Sequence, residues 1–186
     1  DVHMSRGLGD VYKRQQNDLS KKFSKRTIIS HWLTALLILI LFPMGKYMHG
    51  LAAADKILFI QLHAVLGMLV FLITIVRSIA FFKDERPKHL DTGNVVTNKL
   101  SVWIHNAFYV LLFIISLSGI GVMILGGYGE ALVNGTPDII KSKENIAIMP
   151  VHGFSTFIMM VLLVLHVLGV AKHYFLVKEN ALERMM

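Results

Sequence analysis

Val151-His152-Gly153-Phe154-Ser155-Thr156-Phe157-Ile158-Met159-Met160-Val161-Leu162-Leu163-Val164-Leu165-His166 is the stretch on which the reading of the fold turns. No charged side chain lies between its two histidines, and the apolar character extends outward to about residues 148–175. A strand of that length is not found in globular proteins. As a helix it covers the ~30 Å of a bilayer's hydrocarbon core with residues to spare. Three further windows have the same character, at about residues 28–47, 57–81 and 102–125. Pro43 is expected to kink or end the first of them.

The composition agrees with four spans. Hydrophobic residues make up 54% of the 186 and charged residues 17%, against about a quarter charged in soluble domains. The fold class that follows is an all-α integral membrane protein, a bundle of four transmembrane helices. Residues 1–20 read as a disordered or non-native leader. Within them Asp1 to Gln15 has no apolar periodicity and looks like a translated adapter. The bundle itself occupies residues 21–186.

Lysine and arginine set the orientation, because cytoplasmic loops retain them. Lys21, Lys22, Lys25 and Arg26 precede the first span, Arg77, Lys83, Arg86, Lys88 and Lys99 surround the second connection, and Lys172, Lys178 and Arg184 close the chain. The other two connections carry Lys46 and Lys56, then Lys141 and Lys143 diluted by Glu130, Asp138 and Glu144. Both termini are therefore expected in the cytoplasm. The formal charge of +7 is explained by this topology and by contact with anionic lipid, so no nucleic-acid partner is needed.

Five of the nine histidines, His31, His63, His105, His152 and His166, sit within or at the ends of the spans. An imidazole placed in hydrocarbon without a partner costs roughly 2 to 7 kcal/mol. The absence of cysteine excludes disulfides, thiolate-bound clusters and covalent c-type haem, which leaves noncovalent haem b as the best-fitting partner. Counting depth at about 1.5 Å per residue sorts the rings into two layers. His31, His105 and His166 fall toward the cytoplasmic side, and His63 and His152 toward the other. The fourteen steps from His152 to His166 cover about 21 Å and return to within about 40° of the same helix face. One helix thus serves both layers.

The simplest constellation is two haems b, with His63 and His152 on the outer iron and His31 and His166 on the inner. Iron closed on both sides by imidazole suits electron transfer. His105 shares the inner layer and stays open as a replacement for His31 or as a donor to a propionate or quinone. Arg77, at the cytoplasmic end of the second span, is placed to meet a propionate or to anchor topology. Gly67 and Gly169, near His63 and His166, would let a flat macrocycle approach a helix. Trp32 and Trp103 read as interfacial anchors, and His49 as a solvated residue. His3 and His89 read as loop residues.

Ile29-Ser30-His31-Trp32-Leu33, Gln61-Leu62-His63, and His105 followed by Tyr109-Val110-Leu111-Leu112-Phe113 resemble the bacterial cytochrome b561 family. The closing run, His173-Tyr174-Phe175 and then Lys178-Glu179-Asn180-x-Leu182-x-Arg184-Met185-Met186, is similar to the C-terminus of that family's superoxide oxidases. The resemblance covers about residues 21–186. It implies a multi-pass di-haem b protein of the bacterial inner membrane that takes electrons from periplasmic superoxide and delivers them to ubiquinone. It also places Lys172 and His173 at the quinone, where the family usually has paired histidines. Lysines 46, 56, 141 and 143 would then draw the anion inward. The competing expectation is a membrane subunit that relays electrons between quinone and a partner dehydrogenase or hydrogenase.

Overall fold

The computed structural model describes residues 22–83, 94–177 and 182–186. Among these there are helices and no strand. Four long helices form the body: α1 (Lys25–Met48), α2 (Ala53–Lys83), α3 (Val95–Leu125) and, after a short α4 (Tyr128–Asn134), α5 (Met149–Lys172). All four are long and apolar enough to cross a membrane. The leader 1–20, His89 and the Lys178-Glu179-Asn180 part of the closing motif lie outside the described residues.

α1 and α3 start at side-chain caps. The Ser24 hydroxyl accepts from the Thr27 amide at 3.3 Å. The Asn94 amide oxygen accepts from the Val96 and Thr97 amides at 2.9 and 3.3 Å, supplying acceptors that a first turn lacks. This cap explains why α3 begins seven residues before its apolar window, with a polar turn of Thr97, Asn98 and Lys99. Pro43 does not end α1, which runs on to Met48. A proline inside a membrane helix is tolerated where neighbouring helices and local adjustment re-satisfy the freed carbonyl.

α2 packs along both α1 and α3, and α3 packs along α5. The apolar core of the bundle is Leu37, Val70, Leu112 and Met159, with Ile38, Leu66, Phe108 and Ile115 packed against it. Buried hydroxyls are satisfied within their own helices: Thr34 donates to Ser30 O at 2.7 Å, and the fully buried Thr74 to Val70 O at 2.8 Å. In hydrocarbon that back-bonding is the cheapest partner available. The outward faces, such as Leu36 and Leu39 on α1 or Val164 and Leu168 on α5, are exposed and apolar, as lipid requires.

The two ends of the bundle differ. At the cap end, the chain leaves α3 through Gly126-Gly127, where Gly127 takes φ 74. A Cβ there would stand 2.9 Å from Ile139 O, so glycine is required both for the left-handed turn and for the contact. Lys141 N donates to Gly126 O at 3.0 Å, and Ile60, Tyr128 and Ile146 form a second core beneath α4. At the tail end, the C-terminal residues return to the start of α1. Trp32 Nε1 donates to Met185 O at 2.8 Å, and Phe23 N donates to Arg184 O at 3.2 Å. Trp32 is therefore a tie for the tail, whereas Trp103, 75% exposed, has the outward setting of an interfacial anchor.

Candidate functional site

His31 on α1 faces His166 on α5 with ring centroids 6.4 Å apart. His63 on α2 faces His152 on the same α5, also at 6.4 Å. A metal shared by two imidazoles would need their ring centres about 6 Å apart, given a metal–nitrogen bond of about 2.0 to 2.1 Å. Both pairs have that spacing. Both also cross from the α1/α2 side of the bundle to α5, between helices that are not among its main packed pairs.

A 14-residue interval recurs on all four long helices: His31 to Gly45, His63 to Arg77, His105 to Gly119 and His152 to His166. Fourteen residues amount to about 21 Å of rise with the side chains on nearly one face. Each helix accordingly contributes one residue to each of two layers. The cap-end layer holds His63 and His152 with two glycines. A Cβ on Gly119 would stand 3.2 Å from His152 Cε1, and one on Gly45 3.5 Å from His63 Cε1. The tail-end layer holds His31 and His166 with Arg77 and His105. Val70, Leu112 and Met159 of the core lie midway along their intervals, so an apolar partition separates the layers.

Hydrogen bonds orient some of these rings. His152 Nδ1 lies 3.0 Å from Ile115 O and 3.2 Å from Ser118 Oγ, and Ser118 itself donates to Ile115 O at 3.0 Å. A carbonyl can only accept, so the proton sits on Nδ1 and the Nε2 lone pair is left for another partner. His105 Nδ1 likewise donates to Ser101 O at 2.6 Å. Arg77 Nη2 reaches His31 Nδ1 at 3.5 Å, at the long limit of a hydrogen bond. Its guanidinium also lies 5.5 Å from the Tyr109 ring centre. His63 Nδ1 and Arg77 Nε are buried without a hydrogen-bond partner, and a bound group bearing polar atoms would satisfy such a donor.

The remaining sequence candidates divide between these layers and the surface. His105 meets His166 edge to face at 5.1 Å, and Phe108 meets it at 5.5 Å. A Cβ added to Gly67 or Gly169 would meet nothing within 4 Å, whereas one on Gly45 or Gly119 would meet a histidine ring. Lys172 ends α5, and His173 opens the π-helical turn His173–Val177, about 10 Å beyond His166 by helical rise. His49 follows α1 at the cap end and is exposed. Partial burial, then Lys143, Lys46 and Lys56, hold its pKa below the ordinary histidine value.

Among the described residues no three His, Asp or Glu side chains converge as a bare metal ion would need. Paired imidazoles are ligands that a haem iron would take from the protein. The model for the family described as prokaryotic cytochrome b561 matches residues 22–186. The chain belongs to that family. It is also similar to cytochrome b561 homolog 2 of Escherichia coli (strain K12), with 26% identity over 163 residues covering 84% of this chain and 86% of that protein. As a prokaryotic cytochrome b561, the chain is a multi-pass membrane electron-transfer protein that binds haem b. The paired rings, the His152 tautomer and the side-chain-free surfaces of Gly45 and Gly119 fit that group.

Proposed function

We propose that this cytochrome b561 carries two haems b, one between His31 and His166 and one between His63 and His152. The observation that carries the reading is the equal 6.4 Å separation of the two pairs. Haem bound there supplies one-electron chemistry. The protein's part is to hold four imidazoles at that spacing, with His152 fixed by Ile115 and Ser118, and to leave room at Gly45 and Gly119. His105 meets His166 edge to face at 5.1 Å, closer than either proposed pair. We assign it to packing on His166, with Arg77 facing a propionate.

The substrate reading is superoxide oxidase: two superoxide anions are oxidised to two O2 while ubiquinone and two protons become ubiquinol. The C-terminal resemblance supports it, as do Lys46, Lys56, Lys141 and Lys143 at the cap end, where superoxide would arrive from the periplasm. Lys172 and His173 lie toward the tail end, where a cytoplasmic-side quinone would be protonated. The lysine and arginine distribution supports that orientation, and the inner membrane of a bacterium is the matching compartment. A second reading, a membrane subunit serving a partner dehydrogenase or hydrogenase, is favoured by the folded cap, which presents Val133 at 85% exposure.

The test is an anaerobic superoxide pulse applied to purified protein with a ubiquinone analogue. Reduction of the haem bands followed by quinol formation is the expected result. Haem bands that stay oxidised would remove the superoxide assignment and favour the partner-subunit reading.

A further inference from the structure

We infer that residues 182–186 form a strap across the seam between α1 and α5, and that Trp32, fixed by this strap, is a positioning residue for His31. The consequence for bound haem rests on the di-haem reading above.

The seam follows from how the long helices pack. Among the described residues α2 lies along α1 and α3, and α3 along α5, but α1 and α5 are not packed along each other. His31 and His166 nevertheless face across that gap, with ring centres 6.4 Å apart. Rings carried by two helices that are not packed together need another element to fix their separation. At the cap end the chain between α3 and α5 packs on α2 and has a core of its own, with Ile60, Tyr128 and Ile146. At the tail end residues 182–186 reach the start of α1.

The strap is a single 3-10 turn, Glu183–Met185, closed by Met185 N donating to Leu182 O at 2.9 Å. The last carbonyls of so short a turn find no partner within it. Two of them, on consecutive residues, are taken by the first part of the chain: Arg184 O accepts from Phe23 N at 3.2 Å and Met185 O from Trp32 Nε1 at 2.8 Å. Side chains on a helix lean toward its N-terminus, which brings the Trp32 indole back toward Phe23 and lets one turn meet both donors. Arg184 is 9% exposed, an enclosure that a charged residue in a trailing terminus rarely has.

Trp32 is where the strap meets the ring pair. Successive residues on a helix do not face each other, yet the indole meets the His31 ring edge to face with centres 5.6 Å apart. At 48% exposure the indole is not locked by packing. Its one N–H donor is held by Met185 O, and that bond sets the direction of the ring. Without the strap the indole can turn outward to the membrane interface, a setting tryptophan favours, and His31 loses the wall beside it. The strap is tied by two hydrogen bonds to backbone carbonyls, not by a core like that of the cap, so it is the closure poised to open.

The test uses the haem-loaded, reduced protein in lipid nanodiscs, either shortened to residue 181 or carrying Trp32→Phe, with Trp103→Phe as the control. The chain holds two tryptophans, so labelling them with 15N gives two indole N–H signals. Shortening should shift the Trp32 signal and speed its exchange with water while the Trp103 signal stays in place; an unmoved Trp32 signal would overturn the strap. The second readout is haem transfer to an excess of a haem-scavenging apoprotein, in His63→Ala and His31→Ala backgrounds that retain the tail-end and cap-end haem respectively. Shortening and Trp32→Phe should each speed loss of the tail-end haem about fivefold, the worth of one hydrogen bond, without adding when combined, and leave the cap-end haem unchanged. Equal acceleration at both ends, the same acceleration in Trp103→Phe, or none at the tail end would overturn the positioning role with the di-haem reading intact. A His63→Ala protein without haem would overturn the di-haem reading, and the indole signals would still decide the strap.

Discussion

The cap-end and tail-end layers repeat one design with different fillings. Each is built from one position on each of α1, α2, α3 and α5, spaced 14 residues from its counterpart, and each contains two facing imidazoles 6.4 Å apart. The cap-end layer completes the square with Gly45 and Gly119, whereas the tail-end layer completes it with Arg77 and His105. The first arrangement makes space and fixes a tautomer. The second supplies charge and a third ring. The same helices thus present two imidazole pairs in two different electrostatic environments.

The comparison breaks most decisively at the rings. His63→Ala or His152→Ala is expected to remove the cap-end haem and leave the tail-end spectrum, and His31→Ala or His166→Ala the reverse, so that each retains about half the parent's haem by difference spectroscopy. His105→Ala should keep both haems. Loss of a full haem equivalent from that variant would make His105 a ligand.

The glycines come next. Gly119→Val places branched carbon where a Cβ is already 3.2 Å from His152 Cε1, and overpacking of this kind costs about 1 to 3 kcal/mol. The expected outcome is weakened retention of the cap-end haem only, measured by haem loss during thermal or detergent challenge. Gly121→Val is the control, because a Cβ there would stand 3.4 Å from Ile148 and meet no histidine. Equal losses in the two variants would show that the contact with His152 is immaterial.

Much of this arrangement is legible in the sequence, and the parts that are not have physical reasons. The four spans follow from composition, because lipid permits no other element of that length, and the histidine layers follow from helical rise. The tail-end and cap-end pairs meet as depth counting expects. Gly45 and Gly119 escape a search for ligands because glycine carries no ligand chemistry, although their 14-residue interval from His31 and His105 is a signal that could find them. Ser118 is invisible for a different reason. Its contact with His152 depends on how α3 is rotated against α5, which no periodicity within α3 specifies. Pro43 suggests a kink or a helix end, and the end does not occur, because local propensity is overridden where a bundle and bilayer enclose the helix.

Smaller effects sharpen the same comparison. Ser118→Ala removes one of the two oxygens near His152 Nδ1 but leaves Ile115 O in place. A loss of about 1 kcal/mol is expected from a single hydrogen bond, read as a modest drop in unfolding temperature without loss of either haem. At the cap surface His49 should titrate below the ordinary histidine range and be neutral at pH 7. Because protonation is disfavoured in the folded state, any contribution it makes is present at neutral pH and declines as pH falls through the ordinary histidine range. Lys143→Gln should move its imidazole NMR titration upward. An unmoved midpoint would remove Lys143 from the causes.

The most direct measurement is the haem-to-protein ratio of the purified chain combined with low-temperature electron paramagnetic resonance of the oxidised protein. The expected result is two noncovalent haems b per chain, both low-spin with two nitrogen ligands. A ratio of one or less, or a high-spin signal from iron with an open axial position, would contradict the pairing of His31 with His166 and of His63 with His152.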